Sequence, residues 1–263
     1  MAPDSTTVSI TAELDYVLHR PADVLLAIEA IPTADQQLLS DLLKVKGSSP
    51  LTTIEGMDGL GRRTWLHADG PIEIRYTANV KITRAATDLA GLDTVPHAEL
   101  PAAYIQFLMP SRYCPSDRFD NFVATNFGAP DKGQKVLDMA EWVYRNLTYT
   151  PGSSNGSTTA TDTFLSRQGV CRDYAHLLIS LCRAADVPAR MVSAYALDLD
   201  PPDFHAVVEV YLTGRWHLVD PTRLVPETNL VRIAVGRDAT DVGFMTIFGT
   251  AQMVSQSVRV MRD

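Results

Sequence analysis

Cysteine is scarce in this 263-residue chain: Cys114, Cys171 and Cys182 are the only three. Thiols so few and so irregularly spaced exclude a disulfide framework. Cys171 and Cys182 would stand roughly 16 Å apart on one helix, beyond disulfide reach. No CxxC, HExxH or EF-hand string occurs, so no metal or cofactor is expected. No run of eighteen apolar residues exists, which argues against a transmembrane helix. The first twenty residues lack a basic start followed by an apolar stretch, so no signal peptide is expected and a reducing cytoplasm is the expected compartment. Positive charge is also short. Lys and Arg number 23 against 31 Asp and Glu, a net charge of −8 with no basic patch, which disfavours nucleic-acid and anionic-membrane partners.

What is present is ordinary globular material. Hydrophobic residues make up 46% and charged residues 21%, enough apolar content for one large domain or two small ones. The chain is expected to be α+β. Residues 1–100 are β-rich, with strands expected at 8–18, 25–31, 51–55, 62–67 and 72–83, separated by turn signals such as Asp58-Gly59 and Asp69-Gly70-Pro71. Residues 37–45 fit either a strand or a short helix. Many short strands suggest a sandwich-like N-terminal domain. From residue 101 onward helical periodicity takes over, best at Asp131–Leu147, where Val136, Leu137, Ala140, Val143, Tyr144 and Leu147 recur at helical spacing. The polar stretch 150–161 reads as a mobile connector. After it come a helix from Cys171 to about Ala185, ended by Pro188, and strands at 189–197, 204–212, 216–219, 230–235 and 254–261.

Cys171 opens its helix in the string Gly169-Val170-Cys171-Arg172-Asp173-Tyr174-Ala175-His176. Gly169 gives the backbone freedom to turn there. A thiol at a helix start meets the positive end of the helix dipole and unpaired N–H groups, both of which favour the nucleophilic thiolate. By position alone a buried structural cysteine is the commoner case. Two downstream segments change that balance. Phe204 to Leu212 alternates, with Ala206, Val208, Val210 and Leu212 on one face and His205, Val207, Glu209 and Tyr211 on the other. If Thr213-Gly214 is a two-residue hairpin turn, Val210 faces His217 and Val207 faces Asp220. Asp220 then lies diagonally from His205 on the same face, within reach of its ring, while His217 points away. A thiol, an imidazole and a carboxylate so placed make a nucleophile, a base and an orienting acid. The Cys171 N–H is a candidate oxyanion donor, and Tyr113, Gln168 and Trp216 are side-chain candidates for oxyanion or substrate contacts.

These strings, with Trp216-His217-Leu218-Val219-Asp220-Pro221-Thr222 and the linking Val187-Pro188-Ala189-Arg190-Met191, resemble the bacterial branch of the transglutaminase-like superfamily, papain-like Cys-His-Asp enzymes. The resemblance is strongest from Arg167 to Thr222. It implies a core with a helix packed on an antiparallel sheet, filling residues 101–263. It also implies Cys171 as nucleophile, His205 as base and Asp220 as orienting acid. The chain departs from the family at Val207, where an aromatic residue is common.

In every enzymatic reading the thiolate attacks an amide carbonyl and a thioester forms. A water acceptor makes the protein a cysteine protease or amidase acting on peptide or side-chain amides, the favoured reading. An amine acceptor would make it a protein-glutamine transglutaminase. A non-catalytic binding module on the same fold is disfavoured by the intact Cys, His and Asp. A thiol redox sensor would need a resolving cysteine, and Cys182 cannot serve from the same helix.

Overall fold

The structure is a computed structural model, and it describes residues 5–263. In chain order the elements are β1 (Thr6–Leu26), β2 (Gln36–Ser48), β3 (Thr52–Glu55), β4 (Arg62–Ile82), α1 (Asp120–Asn126), α2 (Lys132–Asn146), β5 (Thr148–Tyr149), α3 (Ala160–Ser166), β6 (Gln168–Gly169), α4 (Cys171–Ala184), β7 (Ala189–Ala196), β8 (His205–Leu212), β9 (Arg215–Val219), β10 (Leu230–Gly236), α5 (Ala239–Val242), β11 (Met245–Ile247) and β12 (Ala251–Arg262). The architecture is α+β with antiparallel main sheets.

The β-rich N-terminal region forms one six-stranded antiparallel sheet. Alternation decides its buried face: Val8, Ile10, Ala12 and Leu14 of β1 meet Ile74, Tyr76, Ala78 and Val80 of β4 in register. The turn expected at Asp69-Gly70-Pro71 is instead a bend inside one continuous strand. Gly70 takes φ 74°, and β1 opposite slips register between Leu18 and Ala22. A bulge tolerates the missing N–H of Pro71. The neighbouring Gly47 has room for no side chain, since a Cβ there would lie 2.2 Å from the Pro71 carbonyl oxygen. The ambiguous segment 37–45 is strand, paired to β4. The last expected strand forms, but it joins the N-terminal sheet: β12 pairs with β1 from Val8↔Arg262 to Leu18↔Ala251. Without it, one side of β1 would be an open edge.

The second sheet has the order β10-β7-β8-β9. Ala206, Val208, Val210 and Leu212 share a core with Leu177, Leu178, Leu181 and Cys182 of α4. Burying each of those leucines contributes about 1.5–3 kcal/mol. Val192, Val207, Leu218 and Val225 form a smaller core with Ile31. Every residue of β7 and β8 is therefore buried.

One buried polar group on α4 makes stability pH-dependent. His176 is wholly enclosed; its Nε2 accepts the Ala239 N–H at 3.1 Å and its ring stacks on Tyr113. Burial, reinforced by Arg172 and Arg183 against the opposing pull of Asp238, lowers its pKa to about 3. The folded state thus holds the neutral ring while the unfolded chain takes up a proton below about 6.5. Stability is full above that value and falls as pH drops towards 3, by up to about 1.4 kcal/mol per pH unit. Urea unfolding over this range should show a shallower fall for His176→Gln than for the wild type. Parallel curves would show that His176 does not titrate with folding.

Candidate active site

Three local devices fix the start of α4. Asp173 Oδ2 accepts the Val170 N–H at 2.8 Å and the Ser154 hydroxyl at 2.5 Å, capping the helix. Gly169 is required by close approach rather than by a turn, since a Cβ there would lie 2.6 Å from the Asp173 Cβ. The segment read as a mobile connector is tied down around this cap. Arg172 donates to Ser154 Oγ and to the Asn155 carbonyl, and the Tyr113 hydroxyl donates to the Gly156 carbonyl at 2.6 Å.

The hairpin sets the other half of the site. Thr213 and Gly214 both take positive φ, at 49° and 78°, as a tight two-residue turn needs. The register is Leu212↔Arg215, Tyr211↔Trp216 and Val210↔His217, the pairing expected from sequence. His217 turns away and bonds the Leu212 carbonyl. His205 Nε2 and Asp220 Oδ2 stand 2.9 Å apart, both almost fully buried. Asp220 Oδ1 accepts the Thr222 N–H at 2.9 Å and the Thr222 hydroxyl at 2.6 Å, which fixes the carboxylate plane.

Cys171 neighbours the His205 ring and is partly exposed. Nε2 faces Asp220, which leaves Nδ1 as the ring nitrogen free to serve the thiol. Burial opposes charge on the ring, but the bonds to Asp220 and Cys171 outweigh it and raise the His205 pKa to about 10. Burial likewise opposes charge on Asp220, and His205 and Thr222 outweigh it, holding the carboxyl below its usual range. The site therefore favours an imidazolium–carboxylate pair beside the thiol.

Of the three side-chain candidates around the thiol, Trp216 lies elsewhere and Tyr113 is engaged by other partners. The Tyr113 hydroxyl is committed to Gly156. Trp216 sits at the turn end of the hairpin among Tyr104, Phe107 and Tyr211. Asp220 is four residue steps further on, roughly 13 Å away. Gln168 is an exposed residue of β6, three positions before Cys171. The residue the sequence did not indicate is Tyr149. Parallel pairing of β5 with β6 sets Tyr149 against Gly169, and its phenol neighbours Cys171. Burial and the neighbouring thiol raise its pKa to about 12, so it keeps its proton at neutral pH. Nothing local marks it: the pairing closes across the polar loop and depends on tertiary contacts.

A thiol at a helix start facing a histidine–carboxylate pair on antiparallel strands defines the papain-like class of architecture. The sequence model of the transglutaminase-like superfamily matches residues 121–221, which include all three residues. A solved structure from Cytophaga hutchinsonii, described as a candidate cysteine protease, is 38% identical. It superposes with a TM-score of 0.93, covering 98% of this chain and 91% of that one. The chain belongs to the transglutaminase-like superfamily. An uncharacterised protein of Mycobacterium leprae is 31% identical over 150 residues, 52% of each chain. One from Mycobacterium tuberculosis is 33% identical over 123 residues, 41% of this chain and 39% of that one. The alignments thus span about half or less of these curated relatives.

Proposed function

We propose that the protein is a thiol-dependent hydrolase of peptide or side-chain amide bonds. The observation that carries this reading is the placement of His205 between Asp220 and the accessible Cys171. With the proton of Cys171 already held on His205 as the imidazolium, the sulfur attacks the amide carbonyl carbon. The Cys171 N–H and the Tyr149 hydroxyl are the donors this reading assigns to the developing oxyanion. His205 then returns its proton to the departing nitrogen, leaving an acyl-thioester and a free amine. Water, deprotonated by His205, attacks the thioester. Its collapse frees the carboxylic acid, and the thiol regains its proton. Asp220 holds the ring and stabilises its charge throughout.

Incubation with a peptide library containing glutamine, with and without a primary amine, tests this by mass spectrometry. Cleavage or deamidation without added amine is the expected result. Exclusive amine incorporation would make the protein a cross-linking acyltransferase, and no product of any kind would favour a binding module. Turnover should fall on the alkaline side near pH 10. Acylation needs a protonated His205 to release the nitrogen, and the ring loses that proton there. An alkaline limb near pH 7 would show that Asp220 and the thiol do not hold the charge.

A further inference from the structure

The loop that leads into β8 brings an unpaired carboxylate towards the thiol. Asp203 stands two residues before His205, so their Cα atoms are at most roughly 7 Å apart. Phe204 between them turns into the core, stacked on Phe244 with ring centroids 4.6 Å apart. Asp203 itself is exposed. Its Oδ1 accepts the Phe204 N–H at 2.8 Å and the Gln256 side-chain amide at 2.9 Å. Its Oδ2 has no hydrogen-bond partner, and the residue forms no ion pair, among the described residues. Gln256 comes from the N-terminal sheet. It faces Leu14 across the β1–β12 ladder, and alternation puts Tyr16 on the same inward face of β1. Between these positions β12 carries one extra residue, Val254, since Asp15 pairs with Ser255 and Tyr16 with Met253. A bulge of that kind re-aims the side chains beside it. Burial raises the pKa of both Tyr16 and Tyr149; the neighbouring thiol adds to it at Tyr149, and the charge of Asp203 adds to it at both. Asp203 therefore stands near a phenol from each side of the cleft. The basic residues that adjoin Cys171 and Asp220 in sequence, Arg172 and Arg223, are spent on Asp173 and Glu141. A thiolate, an imidazolium and a carboxylate leave the triad with one net negative charge, and Asp203 adds another.

We propose that Asp203, braced by Gln256 and flanked by Tyr16 and Tyr149, is a specificity subsite for a positively charged group of the substrate beside the scissile amide. The assignment rests on the hydrolase reading above. An ammonium or guanidinium suits the site: Oδ2 supplies a charged acceptor, and neighbouring aromatic rings add attraction for a cation. The short span from Asp203 to His205 sets the reach, so the cation lies within about one residue of the carbonyl under attack. A lysine or arginine side chain and a free amino terminus share this chemistry. The N-terminal sheet thereby takes part in selection, since β1 and β12 supply Tyr16 and Gln256.

Two measurements on the full chain test the assignment. Labelling of Cys171 by trimethylammonium-ethyl and sulfonato-ethyl methanethiosulfonate needs no turnover, so it stands apart from the hydrolase reading. The cation-to-anion rate ratio, referenced to that of 2-mercaptoethanol, should be well above one. It should fall by about fivefold or more in Asp203→Asn, which keeps the Oδ1 acceptor and loses the charge. A ratio equal to that of 2-mercaptoethanol, or one that Asp203→Asn leaves unchanged, would overturn the proposal. In the peptide library, cuts should fall within one residue of Lys, Arg or a free amino terminus, with kcat/KM roughly tenfold above norleucine counterparts. Acetylating the amino termini separates the two sources: a preference that survives belongs to the side chain, and one that disappears belongs to the terminus. Cleavage without a basic preference, or with one that persists in Asp203→Asn, would also overturn the proposal. An uncut library would count against the hydrolase reading alone, with the labelling ratio still deciding for or against Asp203.

Discussion

Replacing Cys171 with alanine is expected to abolish both iodoacetamide labelling and turnover, while Cys114→Ala and Cys182→Ala leave labelling intact. Only Cys171 is accessible among the three thiols. Burial pushes the Cys114 thiol up to about 12 and raises Cys182 as well, so neither offers a thiolate to the reagent near neutral pH. Loss of the nucleophile should lower turnover by about 10⁴-fold or more, the scale found when a triad member is removed. Asp220→Asn should cost a similar factor for a different reason. The amide oxygen can still accept from Thr222, so the local fold survives, but its NH₂ would face Nε2 of His205. That nitrogen would have to become an acceptor, placing the ring proton on Nδ1, where the thiol needs a base. Equal labelling of all three thiols in the native protein would refute the special status of Cys171. Turnover within roughly tenfold of wild type in either active-site variant would remove that residue from the mechanism.

The parts of this site that could be read from sequence are those fixed by short-range geometry. Thr213-Gly214 admits a tight turn, strand alternation has period two, and together they put His205 and Asp220 on one face before any coordinates are known. The helix start at Cys171 was equally local, although the reason for Gly169 was not: it makes room for the capping Asp173, which only the packed structure shows. Tyr149 was invisible because its approach to Cys171 depends on β5 finding β6 across the intervening loop. In the N-terminal sheet the strands were legible but the bend at Gly70-Pro71 read as a turn. A bulge answered by slips in both neighbouring strands uses the same residues as a hairpin. The destination of β12 was likewise unreadable, because pairing with β1 is a contact between the two ends of the chain.

Contacts of that long-range kind also join the N-terminal region to the sheet that carries His205, and they give the largest expected loss of stability. Six charges run in sequence: Asp58, Arg190, Glu209, Arg232, Asp35 and Arg84. Glu209 stands at the centre, 1% exposed, with Arg190 Nε at 2.8 Å and Arg232 Nε at 2.6 Å. Burial opposes its charge, yet the two guanidiniums outweigh burial and hold its carboxyl below the usual range. The sign follows: this contribution is present above about pH 4.5 and is lost as pH falls through the lowered folded value. A buried ion pair adds little net stability over apolar packing, because desolvation consumes most of the attraction. Removing the central partner is different. Glu209→Ala leaves two buried guanidiniums facing each other, each still tied at its far side to Asp58 or Asp35, so neither can leave for solvent. The expected cost is about 3–5 kcal/mol by urea unfolding at neutral pH. The gap from wild type should narrow in acid, where the wild-type carboxyl is itself protonated. Glu209→Gln should fall between, since it keeps an acceptor but not the charge. A loss below about 1 kcal/mol for Glu209→Ala would mean that water enters the row and that the charges do not clamp the N-terminal region to the sheet.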